Sequence, residues 1–129
     1  MALRIVQPEG WPRPRGYSNG ILADGRHLHV AGQVGWDASG RFPLGFAAQF
    51  EAALENFLEV VRAAGGGPQQ VARLTIYVTD LARYRESQAE LGEIWRRQMG
   101  RHYPAMALVG VAGLVEPDAL VEIEGVAVL

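Results

Sequence analysis

Few side chains in this sequence could do chemistry, and two pairs stand out by their spacing. Glu122 and Glu124 lie two residues apart, which places both carboxylates on one face of a strand. A partly buried carboxylate can act in general acid-base catalysis, whereas two fully solvated ones would do no chemistry. His27 and His29 have the same spacing, which suits two metal ligands, but no third histidine nearby and no carboxylate completes a metal pattern. We therefore expect no metal site.

Covalent catalysis has little support in the sequence. The chain has no cysteine, which excludes disulfides, thiolate zinc sites and cysteine nucleophiles. Ser18 and Ser87 lie outside any nucleophile-elbow sequence, and no Ser-His-Asp set can be nominated. The glycine run at 65–67 follows a helix pattern and predicts the end of that helix, not a phosphate-binding loop. We expect no cofactor.

Composition and charge exclude further classes. The 129 residues, 49% of them hydrophobic, fit one domain, residues 1–129, around one core. A net charge of −2 and a pI near 5.9 give no field that would gather a polyanion, so binding of nucleic acid is disfavoured. The start of the sequence lacks a seven-residue apolar stretch, and no later run reaches the roughly eighteen apolar residues that a membrane span needs, so we expect neither export nor membrane insertion. We expect a cytoplasmic protein.

The elements that must position these side chains follow from hydrophobic periodicity. Residues 17–23 and 26–32 flank Asp24-Gly25, which predicts two antiparallel strands joined by a tight turn after a proline-broken N-terminal arm. Five more elements are predicted in order: a helix over 44–64, a strand over 71–78, a helix capped by Thr79 or Asp80 and ending near Gly100, and strands over 105–112 and 120–129. The class is α+β, with the order ββαβαββ.

The strand around residues 106–111 predicts an assembly. This run is apolar almost throughout, as expected for a strand that is buried on both faces. Two helices can cover one face of such a sheet, but the chain has no further element for the other. A second copy of the same surface is the economical cover, and we expect small-molecule sites where copies meet.

Motifs along nearly the whole chain resemble the reactive-intermediate deaminase family, also called the YjgF-like or L-PSP endoribonuclease family. The motifs are the runs 16–20, 30–34, 53–56, 63–65, 74–80, 103–105 and 121–124. The resemblance implies a chorismate-mutase-like fold with a mixed sheet and two helices on one face. It also implies a homotrimer around a central barrel, with three clefts between neighbouring subunits.

The resemblance assigns roles to individual residues. Glu122 matches an acidic residue that positions or activates water for attack on an imine carbon, and Tyr17 matches a cleft tyrosine that binds substrate or water. Gly32 and the stretch around Leu108 match places that present backbone amides and carbonyls to a ligand, and Gln88 matches a polar side chain that lines the cleft. The residues alone leave simpler roles open: a solvated face for Glu122, a core aromatic for Tyr17, a close strand contact for Gly32 and a solvated helix surface for Gln88.

One position departs from the family pattern. Family members that hydrolyse 2-imino acids carry an arginine directly after a Pro-Ala pair, and this chain has Met106 there. A guanidinium holds a carboxylate by two charge-assisted hydrogen bonds, whereas a thioether offers only a soft apolar wall. Arg13 or Arg15, in the arm before Tyr17, could supply the missing charge.

We therefore expect a hydrolase of imine or enamine bonds in a small metabolite that is not a simple 2-imino acid. The alternative is a non-catalytic protein that binds a metabolite in the same cleft. The ribonuclease activity attached to the family's name is disfavoured, because an acidic chain without a basic groove has little with which to grip RNA.

Overall fold

The computed structural model describes residues 3–129, which form an α+β fold. The elements are β1 (Leu3–Val6), β2 (Gly20–Ala23), β3 (His27–Val34), α1 (Phe46–Ala63), β4 (Val71–Val78), α2 (Leu81–Glu86), α3 (Gln88–Met99), β5 (Ala105–Gly110) and β6 (Val121–Val128). No helix in this part of the chain is both long enough and apolar enough to cross a bilayer.

Four strands form a mixed sheet in the order β3-β6-β4-β5. The β4–β5 pair is parallel, and the other two pairs are antiparallel. Val121 and Ile123 of β6 are fully buried, and they join Leu74 of β4 and the apolar face of α1 in one core. Both the mixed sheet and the helices on one of its faces confirm the predicted fold class.

Helix α1 forms because its apolar residues recur every three or four positions. Phe50, Leu54, Phe57 and Val61 are all buried and form one stripe that faces the sheet. The helix begins after Gly45, whose φ is +93°, and ends before Gly65, whose φ is +92°. These are backbone angles that glycine adopts without steric cost, so the two glycines set the limits of the helix.

The first two predicted strands do not form a hairpin. The chain does bend at Gly25, whose φ is +140°, but β2 pairs with β1 and β3 pairs with β6. The backbone of Arg26 exchanges two hydrogen bonds of 2.8 and 2.9 Å with Leu129, which directs β3 to the last strand. The predicted pairing is therefore wrong, because a turn signal is local and does not specify the partners of the strands beside it.

The second predicted helix is divided in two at Ser87. Asp80 caps its start by accepting a 3.1 Å hydrogen bond from the backbone nitrogen of Arg83. The Ser87 hydroxyl donates to the Arg83 carbonyl at 2.8 Å, so a side chain competes with the backbone at this point. The resulting break separates α2 from α3, and α3 ends at Gly100 with φ +66° as predicted.

Strand β5 is covered on one face only. Met106 and Leu108 face the helices, whereas Val109, on the opposite face, is 41% exposed. Within residues 3–129, nothing covers that opposite face. The apolar sequence of this strand predicts such an uncovered face in a single copy. Its cover by a second copy stays a prediction.

We predict that truncation of the α1 stripe destabilises the fold. Leu54 is 0% exposed, so Leu54→Ala leaves a cavity in the core and lowers the free energy of unfolding by about 2–5 kcal/mol. Leu44→Ala makes the same change at a residue that is 97% exposed and shifts it by less than about 0.5 kcal/mol. Urea unfolding followed by circular dichroism measures both, and similar losses in the two variants would contradict this account of the core.

Candidate functional site

A cavity of about 330 Å³ lies between strand β5, helix α3 and the segment that precedes β2. Five of the residues predicted from the sequence line it: Arg15, Tyr17, Gln88, Met106 and Leu108. Its remaining lining is mostly aromatic and apolar, with Phe50, Ile76, Tyr84, Leu91, Trp95 and Tyr103. Such a lining, with a few polar groups placed in it, is typical of small-molecule sites.

The strand β5 supplies the floor of the cavity. In its parallel pairing with β4, Met106 lies opposite Leu74 and Leu108 lies opposite Ile76. Leu74 and Ile76 are buried under the helices, and residues paired across a sheet share a face, so Met106 and Leu108 point to that same side. The side chain at position 106 is thus part of an apolar floor.

A buried serine docks the N-terminal segment on β5. Ser18 is 5% exposed; its backbone nitrogen donates to the Pro104 carbonyl at 3.0 Å, and its hydroxyl donates to the Tyr103 carbonyl at 2.5 Å. These two bonds hold Tyr17 and Arg15 at the cavity. Tyr17 is 41% exposed, so it is a cavity wall and not a core aromatic.

Helix α3 supplies the opposite wall. The indole nitrogen of Trp95 donates to the His102 carbonyl at 3.0 Å, and the Trp95 and Tyr103 rings stack with centroids 6.2 Å apart and planes 6° apart. The His102 ring lies 2.6 Å from the Val71 carbonyl, which gives its nitrogen a structural hydrogen bond. The aromatic wall is therefore held from several sides.

On this helix, sequence reasoning assigned only Gln88 to the site; among the lining residues that it missed are Gly92 and Arg96. Together with Gln88 they follow a spacing of four residues along α3, which places all three on one face of the helix. Counting on from Gln88 in steps of four residues would have identified Gly92 and Arg96 from the sequence. The same lining includes Arg15 but not Arg13.

Glu122 lies outside this cavity, on the other face of the sheet. Its neighbours Val121 and Ile123 are fully buried toward the helices, so the alternation of the strand turns Glu122 away from them. A Cβ atom added to Gly32 would lie 1.9 Å from Glu122 Oε2, so the carboxylate occupies the space above Gly32. Gly32 is therefore in close contact with Glu122. Because Gly32 has no side chain, the Glu122 carboxylate, the candidate catalytic group, can occupy this space.

The start of β6 is fixed by a glutamine in the core. Gln49 is 4% exposed; its side-chain nitrogen donates to the Asp118 carbonyl at 2.9 Å, and its side-chain oxygen accepts from the Leu120 backbone nitrogen at 2.8 Å. Both bonds join α1 to the segment directly before Glu122. These two bonds therefore fix the position of the Glu122 carboxylate along the sheet.

The second carboxylate of the pair has a structural partner. The hydroxyl of Tyr77, on β4, donates a hydrogen bond to Glu124 Oε2. This bond raises the pKa of Tyr77 above its usual range, because a nearby carboxylate disfavours the phenolate. Within residues 3–129 the Glu122 carboxylate makes no such hydrogen bond, so of the two it is the one available to a ligand.

The two histidines with ligand-like spacing lie on β3, with ring centroids 6.4 Å apart. Among residues 3–129, no three histidine, aspartate or glutamate side chains gather into a group that could hold a metal ion.

The comparisons with known proteins agree with this fold. The chain belongs to the endoribonuclease L-PSP family, whose model matches residues 12–129. It is 32% identical to the RutC family protein PH0854 of Pyrococcus horikoshii, over 95% of each chain. It is 33% identical to the 2-iminobutanoate/2-iminopropanoate deaminase of Rattus norvegicus, over 87% of this chain and 79% of that protein.

Among solved structures, the crystal structure of YyfB from Yersinia pestis, a protein of the conserved Rid family, superposes with a TM-score of 0.89. The two sequences are 36% identical, and the match covers 100% of both chains. These matches confirm the resemblance predicted from the motifs.

Proposed function

We propose that this protein hydrolyses imine or enamine bonds of a small metabolite at a site formed where two copies meet. The observation that carries the proposal is the division of the candidate residues between two surfaces. Tyr17, Gln88 and Met106 line the cavity on one face of the sheet, while Glu122 lies above Gly32 on the other. A second copy that places its Glu122 at the mouth of the cavity would complete the site. The family includes proteins named as imine deaminases.

The reaction uses one water, and both of its protons end on the nitrogen. Glu122 accepts a proton from water as the water oxygen bonds to the imine carbon, and it passes this proton to the nitrogen. In the resulting carbinolamine the same carboxylate takes the hydroxyl proton and gives it to the nitrogen as the C–N bond breaks, so that ammonia leaves and a carbonyl remains. The Tyr17 hydroxyl, half exposed at the cavity, donates a hydrogen bond to the substrate or to the attacking water. An enamine enters the same path once protonation at its carbon has formed the imine.

The apolar floor restricts the substrate. Met106 cannot bind a carboxylate next to the reacting carbon, because its thioether donates no hydrogen bond and carries no charge. Leu108 beside it is equally apolar. The proposed substrate is therefore an imine or enamine other than a simple 2-imino acid.

The proposed assembly is a cytoplasmic homotrimer. The face of β5 that carries the exposed Val109 is the surface that needs a cover, and the Glu122 carboxylate lies on the same side of the sheet. A closed ring of three copies would cover this face in each copy and create three equivalent sites.

Replacement of Glu122 tests its catalytic role. Glu122→Gln keeps the size of the side chain but removes the base, so we expect ammonia release from a panel of freshly generated imines and enamines to fall by at least about 100-fold. Glu124→Gln is the matched control on the same strand and face, and it should keep most of the activity because Glu124 bonds to Tyr77.

Equal activity in the two variants would contradict the role of Glu122. Absence of ammonia release across the panel, with calorimetry still detecting binding of small molecules, would identify the protein as a non-catalytic binder.

Complementation tests the site between copies. Glu122→Gln and Tyr17→Ala remove groups that we assign to different copies of one site. Co-refolded in equal amounts, the two inactive variants should regain activity in about a quarter of the sites, since each site draws one copy at random for each surface. Activity that stays at the level of the separate variants would show that one copy supplies both groups.

Introduction of an arginine tests the restriction on substrate. Met106→Arg should raise ammonia release from 2-iminopropanoate, because a guanidinium on the floor can bind the substrate carboxylate. Met106→Leu keeps the floor apolar and should not change it. No gain from Met106→Arg, in a variant that still folds and assembles, would show that other positions exclude these substrates.

A further inference from the structure

Two arginine side chains line the cavity although its floor carries none. Arg15 comes from the segment before β2, and Arg96 comes from helix α3. No aspartate or glutamate lies among the lining residues, and within residues 3–129 neither arginine has an ion-pair partner. By contrast, Arg97, the next residue of α3, pairs with Glu51 at 2.8 Å. Within one copy, the cavity therefore carries unbalanced positive charge.

Gly92 makes room beside one of these charges. A glycine inside a helix costs about 0.5–1 kcal/mol relative to alanine, and Gly92 has no positive φ that would require it. The nearest atom to an added Cβ would be Arg96 Nη1, at 3.7 Å, which is an ordinary contact. Neither the backbone nor the packing explains this glycine, whereas an open space in the cavity next to the guanidinium does.

The rest of the lining suits a flat apolar body. Trp95 and Tyr103 are stacked, the Trp95 indole is hydrogen-bonded to the His102 carbonyl, and Tyr17 and Tyr84 line the same space. A volume of about 330 Å³ is small for a ligand site, and it suits a molecule of about one ring. Aromatic walls favour flat ligands because rings stack or meet edge to face.

We propose that the cavity binds a planar apolar molecule with one carboxylate, and that Arg15 and Arg96 hold this carboxylate in the space left by Gly92. The inference rests on the proposed function, since this molecule would be the substrate of the same site. The two charges come from the helix wall and the N-terminal segment, not from the floor. The ligand therefore carries its carboxylate away from the position that an arginine at 106 would contact, which is consistent with the exclusion of simple 2-imino acids.

Benzoate and benzamide have the same ring and nearly the same shape, but only benzoate is charged. A comparison of their affinities therefore tests whether the cavity prefers a carboxylate. By isothermal titration calorimetry in dilute salt, we expect benzoate to bind at least about tenfold more tightly, owing to charge-assisted hydrogen bonds to guanidinium. Added salt should reduce this preference, because salt screens the attraction between the carboxylate and the two arginines.

Arginine variants test which side chains bind the carboxylate of benzoate. Arg15→Gln and Arg96→Gln should each weaken the binding of benzoate and leave that of benzamide unchanged, whereas Arg97→Gln should change neither. Gly92→Leu should abolish the binding of both by filling the space, and circular dichroism would verify that its helices are intact, since leucine is a better helix former than glycine.

Three results would overturn the inference: equal affinity for the two probes, no binding of either, or a benzoate preference that survives in the double variant of Arg15 and Arg96. The ammonia assay separates this inference from the proposed function. Charge-selective binding without turnover of any imine would contradict only the hydrolase. Turnover of imines without preference for a carboxylate would contradict only the anion site.

Discussion

Strand β6 determines most of this structure because it lies between β3 and β4 and has two different faces. Val121 and Ile123 are buried against the helices, and Glu122 and Glu124 alternate with them on the other side. A shift of one residue would exchange these two sets, so burial of the apolar set fixes the register. Gly125 reinforces it, since a Cβ there would lie 2.1 Å from the Arg73 carbonyl oxygen. Only glycine allows the strands to approach so closely at this point.

Because side chains alternate between the two faces of the sheet, the residues of the candidate site lie on two different surfaces. Strand β5 contributes Met106 and Leu108 to the helix side of the sheet, where the cavity lies, and β6 contributes Glu122 to the opposite side. No rearrangement of side chains carries a group through a packed sheet. A chemistry that uses both surfaces therefore requires two copies, which makes the proposed activity depend on assembly.

The charges of the cavity differ from the pattern that the family resemblance implies, although the fold is the same. An apolar methionine occupies the floor, while the arginines come from α3 and from the segment that Ser18 docks on β5. The fold permits such changes at Arg15, Arg96 and Met106, because none of these three is a fully buried residue of the core. Substrate preference can then change while the sheet, the helices and the proposed catalytic carboxylate keep their places.

The sequence by itself determined the α+β class, the presence of α1 to within two residues at each end, a cap at Thr79 or Asp80, the family and the apolar residue at position 106. These features depend on local periodicity, local caps or direct residue identity, all of which can be seen along the chain. Tertiary structure alone decided that β2 pairs with β1, that Arg96 and Gly92 face Met106, and that Glu122 lies away from Tyr17. Each of these depends on contacts between distant segments, such as Arg26 with Leu129 and Ser18 with Pro104, which no local pattern encodes.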